Sequence, residues 1–144
     1  MRLQKSTLFA LYAVLELARE NDRQMSTGDI AERYDISPHH LSKVMRQLVR
    51  SGLIQSVRGA GGGYRFSGNA KRVTLLDIID LFEPSNPAVE GDEEDPAGAT
   101  SVARALDSVC GEIDELTRAT LQSITLRSLL KYAPAEVGEE AVAG

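Results

Sequence analysis

Residues 51–66 read Ser-Gly-Leu-Ile-Gln-Ser-Val-Arg-Gly-Ala-Gly-Gly-Gly-Tyr-Arg-Phe and follow directly on a short helix–turn–helix pattern. The run has the make-up of a β-wing: an apolar strand, a glycine-dense tip carrying Arg58, and a return strand starting at Tyr64. Glycines let such a tip reach positive φ and come close to another backbone. Arg58 adds a charge that can enter a groove. A winged helix–turn–helix with a basic tip points to a grip on duplex DNA.

Upstream of the wing, Leu8, Leu11, Leu15 and Ala18 recur at three-to-four spacing and predict a first helix from about Thr7 to Glu20 with one buried stripe. Ser26 with Asp29 three residues on is a capping-box arrangement, opening a short second helix that carries Ile30, Ala31 and Tyr34. The chain turns at Tyr34-Asp35-Ile36. Ser37-Pro38 restarts it, with Ser as N-cap and Pro at the first helical position. In this third helix Leu41, Val44 and Leu48 point inward, Lys43, Arg46, Gln47 and Arg50 fall on the other side, and Gly52 stops it. An apolar face opposite a basic one is what a recognition helix needs.

Downstream, Thr74 and Asp77 cap a fourth helix with Leu75, Ile78, Ile79 and Phe82 on its core face. Residues 84–100 then hold Pro84, Pro87 and Pro96 among Glu90, Asp92, Glu93, Glu94 and Asp95, an acidic linker or loop. The acidic run lacks the glycine-punctuated spacing of a calcium loop and reads as a solvated spacer. A long helix follows from near Ser101 to about Ser123. Val102, Leu106, Val109, Ile113, Leu116 and Thr120 alternate at four and three, the period of a two-helix seam. Such a helix spans roughly 33 Å, too long and too narrowly striped to be buried by a small head, so it reads as a dimerisation helix. Thr125 caps a last short helix, and the tail over residues 133–144 is expected to be disordered.

The net charge of −5 hides an asymmetry. Residues 1–72 carry 12 Lys and Arg against 6 Asp and Glu, whereas residues 73–144 carry 4 against 15. The basic half can neutralise phosphates while the acidic half stays away from them. No apolar run reaches membrane-spanning length, and the chain enters a helical pattern without an apolar leader, so a cytoplasmic protein is expected. One cysteine, Cys110, leaves no intramolecular disulfide framework. No nucleophile elbow, Walker phosphate loop or metal-ligand cluster is visible, and Gly61-Gly62-Gly63 does not open a helix after a buried strand. The chain does not read as an enzyme.

Four segments in order are similar to a known family: Met1-Arg2-Leu3 running into helix one; Ser56-Val57-Arg58-Gly59 followed by Gly61-Gly62-Gly63-Tyr64; Thr74-Leu75-Leu76-Asp77-Ile78-Ile79; and Ile124-Thr125-Leu126. Over roughly residues 1–132 the sequence resembles the IscR/NsrR/CymR-like bacterial winged-helix transcription regulators. The resemblance implies homodimers that bind imperfect palindromes and repress or activate promoters. It also implies, for many members, an iron–sulfur cluster held by three cysteines between the fourth and the long helix. That pattern would fall within residues 88–104, where Asp92, Ala97, Ala99, Thr100 and Arg104 stand and no cysteine occurs. Clusters want soft thiolates. No cofactor and no metal site are therefore expected.

These readings give a mainly α chain with a small β-wing. A winged helix–turn–helix domain over residues 1–83 is joined by the linker at 84–100 to a long C-terminal dimerisation helix and short helix over 101–132. Ser37, His39, Ser42 and Lys43, at the start of the recognition helix, are candidates for reading base edges, and His40 for a further contact. Arg46, Arg50, Arg65, Arg2 and Lys5 are candidates for phosphates, Arg58 for a minor groove, and Gly62 and Gly63 for close backbone approach. Cys110 flanks the seam, either as a small hydrophobe at the dimer edge or as a redox thiol. The expected protein is a dimeric, sequence-specific regulator of transcription, a repressor in the first instance, with double-stranded DNA as partner. The alternative keeps the fold as a partner-protein-controlled regulator or interaction module, or as a redox sensor through Cys110, with a small ligand or a partner protein as further candidate partners.

Overall fold

Leu17, Leu41, Leu48, Ile78 and Leu126 are fully buried and belong to one apolar cluster, although 109 residues of chain separate the first from the last. The computed structural model describes residues 1–20, 22–83 and 100–133, which form α1 (Lys5–Ala18), α2 (Thr27–Tyr34), α3 (Pro38–Ser51), β1 (Ile54–Val57), β2 (Gly63–Phe66), α4 (Leu75–Phe82), α5 (Ser101–Ser123) and α6 (Leu126–Tyr132). The expected linker lies outside the described residues except for Thr100, as does the expected tail except for Ala133.

Helix α1 is the central post, touching α2, α3, α4, α6 and β2. It begins and ends two residues earlier than its apolar spacing predicts. Thr7, Ala10, Leu11, Val14, Leu17 and Ala18 are buried, while Leu8 and Leu15 are only half-buried. A helix contacted on several sides is not confined to one stripe, and the small Ala10, Ala13 and Ala18 let neighbours approach closely.

The second and third helices obey their local signals. Ser26 Oγ accepts from the Asp29 amide at 3.0 Å, and the Asp29 carboxylate accepts from the Ser26 amide at 3.0 Å. The Ser26 amide, and after it the Ser26 hydroxyl, hold the Asp29 carboxyl below the usual carboxylate range. Asp35 takes the left-handed conformation (φ 53°) that ends α2, and the Ile36 amide donates back to the Ala31 carbonyl at 2.8 Å. Ser37 caps α3, Pro38 occupies its first position, and Gly52 (φ 82°) stops it.

Glu16 is a charge that the periodicity does not anticipate. It is 2% exposed on α1, accepts from the Tyr34 hydroxyl at 2.5 Å, and faces Arg33 at 3.3 Å and Arg23 at 3.8 Å. Tyr34 also stacks on Tyr12 with centroids 4.8 Å apart. The cluster pins α2 to α1 beneath the turn that aims α3. Burial, then the Glu16 bond, push the Tyr34 hydroxyl up to about 12. Because the folded value lies above the unfolded one, this stabilisation is complete below about pH 10 and is lost as pH rises toward 12. Tyr34→Phe should lower stability at neutral pH and flatten that alkaline decline, as read from chemical denaturation midpoints across pH.

Candidate nucleic-acid interface

Helix α3 presents Lys43, Arg46 and Arg50 to solvent while Leu41, Val44, Met45 and Leu48 fill the core beneath. None of the three cations is ion-paired among the described residues. At the start of the helix Ser37 and His39 are exposed, and half-buried Ser42 donates to the Pro38 carbonyl at 2.8 Å. His40 turns the other way. Its ring meets Phe9 edge-on at 4.9 Å, and its Nε2 lies 3.2 Å from Ser6 Oγ. This contact sets the first turn of α1 beside the first turn of α3, bringing exposed Lys5 and Arg2 to the same end of the molecule. Gln47, on the outward side by spacing, instead donates to the Leu81 carbonyl and ties α3 to α4.

The wing is an antiparallel hairpin in which Ile54 pairs with Phe66 and Val57 with Gly63. Two-residue alternation sends Ile54, Tyr64 and Phe66 toward the core and Gln55 and Arg65 to the outer face. There Arg65 sits opposite Gln55, whose amide oxygen can accept from the guanidinium. The tip carries exposed Arg58 between β1 and two left-handed glycines, Gly59 (φ 107°) and Gly61 (φ 75°).

Gly62 and Gly63 are small for a different reason. A Cβ on Gly62 would lie 2.6 Å from the Val57 carbonyl oxygen, and one on Gly63 would lie 2.5 Å from that of Met25. Met25 forms a third edge of the wing: its amide donates to the Tyr64 carbonyl at 3.1 Å, and the Tyr64 amide returns the bond at 2.8 Å. Sequence spacing missed this bridge, since a single paired residue leaves no alternating pattern. It couples the wing to the N-cap of α2.

A winged helix–turn–helix of this order, with a long helix after it, invites comparison with known regulators. The profile of the Rrf2 family, described as an iron-dependent transcriptional regulator, matches residues 3–132. The chain belongs to the Rrf2 family. It is 56% identical over 140 residues to the HTH-type transcriptional regulator BadM of Rhodopseudomonas palustris, covering 94% of this chain and 85% of that one. Among solved structures, IscR of T. potens superposes with a TM-score of 0.74 at 29% identity, covering 93% and 89% of the two chains. CymR of B. subtilis, the global cysteine regulator, gives 0.73 at 27% identity, covering 92% and 98%. This Rrf2 chain is thus a helix–turn–helix transcriptional regulator with a winged-helix head, and not an enzyme.

The family description names iron, and the donor set of this Rrf2 chain does not fit an iron–sulfur cluster. Its one cysteine, Cys110, is exposed on α5. Both histidines lie on α3, one of them engaged with Ser6. Among the described residues no three His, Cys, Asp or Glu side chains gather where an ion could be held. Among those residues, too, no helix is long and apolar enough to cross a membrane.

Proposed function

We propose that the chain is a dimeric, sequence-specific DNA-binding repressor that recognises an imperfect palindrome without a cysteine-ligated cluster. The observation that carries this reading is the pairing of two surfaces. One is the basic face of α3, unpaired among the described residues, with the Arg58 tip. The other is the stripe of Val102, Leu106, Val109, Ile113 and Leu116 on α5, each 53–69% exposed. A side-by-side stripe at heptad spacing matches a second copy of itself and fits a two-fold dimer. Two α3 helices held that way would enter successive major grooves about 34 Å apart.

Within each head Ser37, His39, Ser42 and Lys43 read base edges. Arg46, Arg50, Arg65, Arg2 and Lys5 bind phosphates, and Arg58 enters the minor groove. His40 supports α3 through Ser6 and Phe9 and reaches DNA only secondarily. Acting on chromosomal DNA would place the protein in the cytoplasm. Cys110 follows Val109 on the stripe and is exposed, so it borders the proposed seam as a small hydrophobe.

Phosphate contacts and base contacts separate by experiment. Arg50→Ala should weaken binding to all duplexes alike and reduce the log–log salt slope by about 0.9, the contribution of one phosphate. Lys43→Ala should lower affinity for the selected operator by about tenfold or more while leaving random duplex little changed. Fluorescence anisotropy on both duplexes over a salt series reads both effects. A wild-type affinity insensitive to salt would sink the reading.

A further inference from the structure

A cleft of about 810 Å³ opens between the end of α1, the loop joining β2 to α4, and α6. Four cations line it, Arg19, Lys71, Arg127 and Lys131, around an apolar floor that includes Phe66 and Leu130. Among the described residues no carboxylate lines the cleft and none of the four cations is ion-paired. Arg127 and Lys131 stand four apart on α6 and so project from one side of it. The Nε of Arg19 is shielded from solvent and meets no hydrogen-bond acceptor among the described residues. A buried donor without an acceptor is costly, and like charges around one concavity repel. An anion seated among the four cations would relieve that repulsion.

We propose that this cleft binds a small amphiphilic anion, an apolar or aromatic body bearing a carboxylate, sulfonate or phosphate, as the effector of the regulator. Its volume suits such a ligand. DNA phosphate is the weaker fit. Phe66 pairs with Ile54 at the end of the hairpin away from the tip, and the strand alone puts roughly 10 Å between Gly63 and Phe66. The cleft therefore lies away from Arg58.

Its walls also belong to separate parts of the chain. Arg19 ends α1 and Lys71 sits in the β2–α4 loop, whereas Arg127 and Lys131 belong to α6. Helix α6 follows directly on α5, and its buried Leu126 is anchored in the core of the head through the Leu126 amide bond to Val73 at 2.9 Å. An anion drawing α6 toward α1 would shift α5 against the head and so change the spacing of the two α3 helices. That regulatory consequence rests on the dimeric DNA-binding reading; ligand binding itself does not.

The test titrates anilinonaphthalene sulfonate, a fluorescent aromatic anion, into the full chain without DNA, beside the neutral phenylnaphthylamine, with inorganic phosphate as competitor. The expected result is one saturable anionic site per chain, displaced by phosphate. Lys71→Gln with Arg127→Gln should weaken it about tenfold or more, with neutral-dye binding unchanged. Should that double variant melt early, Lys131→Gln alone serves, with an expected weakening of about threefold. Unchanged sulfonate affinity in a folded variant overturns the proposal, because the dye then sits on the exposed face of α5. Unchanged dye affinity with a shallower salt dependence of DNA binding overturns it in favour of a phosphate contact. Operator binding is scored separately on the wild type, so failure of the DNA reading leaves the dye result interpretable.

Discussion

Ile113→Glu should convert the protein to a monomer and abolish operator binding at concentrations where the wild type saturates. Ile113 lies mid-way along the α5 stripe, 55% exposed, with Val109 and Leu116 on either side. In a two-fold pairing, residues near the middle of the seam face their own copies, so one substitution sets two carboxylates together in an apolar interface. Burying one unpaired charge costs about 3 kcal/mol or more, which is roughly a hundredfold in dissociation constant, and mutual repulsion adds to it. Folding of the head should be untouched, because no residue of α5 is buried and the stripe faces away from the core. Sedimentation velocity and operator titration on the same sample check this. A monomer that still binds the full operator with wild-type affinity would remove the dimer from the account. Arg118, which forks onto Asp80 of α4 at 3.0 and 3.1 Å, should meanwhile keep α5 oriented on the head.

Gly63→Ala should cost the second-largest effect, at a site carrying no charge. The added methyl would stand 2.5 Å from the Met25 carbonyl oxygen, 2.7 Å from its carbon and 2.9 Å from the Ser26 amide nitrogen. All three are backbone atoms in a two-bond bridge and a helix cap, so none can swing aside as a side chain would. Relief requires opening the Met25–Tyr64 bridge and loosening Ser26 from Asp29, at roughly 1–3 kcal/mol, the usual range for overpacking. The wing would then lose its tie to the α2 N-cap, and DNA affinity should fall by about tenfold or more even where the head remains folded. Thermal melting paired with operator titration reads the two separately. Gly61→Ala, with open space around its Cβ but φ of 75°, should act through backbone strain alone and do less.

The elements most legible in the sequence are those whose signals are local. Ser26 with Asp29, Ser37-Pro38, Thr74 with Asp77, and Thr125 each open a helix where the residue types demand, and α5 spans Ser101–Ser123 as its stripe requires. Leu8 and Leu15 were less informative, because α1 is surrounded and burial spreads around it. Features made by distant partners left no periodic trace. Glu16 becomes a buried anchor only because Arg23, Arg33 and Tyr34 fold over it. Met25 becomes a strand edge only once Tyr64 lies beside it. Thr74 and Thr125 bridge across 51 residues, and with the Leu75 amide bonded to the Ile124 carbonyl at 2.9 Å they anchor α6 to the head. The basic cleft follows from that closure, since it gathers Arg19, Lys71 and Arg127 from three separate segments.

The candidate DNA residues are named from the sequence by type, as cations and short polar side chains, and the structure places them on α3, on the wing and at the start of α1. Their division of labour was less legible. His39 and His40 are adjacent in sequence, yet only the second meets Ser6 and Phe9. Helical geometry turns neighbouring side chains about 100° apart, so one faces α1 while the other faces solvent.

Selection of bound duplexes from a randomised pool, followed by hydroxyl-radical footprinting of the winner, tests the central claim most directly. Two α3 helices held by paired α5 stripes should enrich a two-fold symmetric sequence bound by two chains. Protection should fall on two patches about one helical turn, 34 Å, apart, with a further mark in the flanking minor groove where Arg58 lies. An asymmetric site protected once by a single chain, or no enrichment over random duplex, would contradict it.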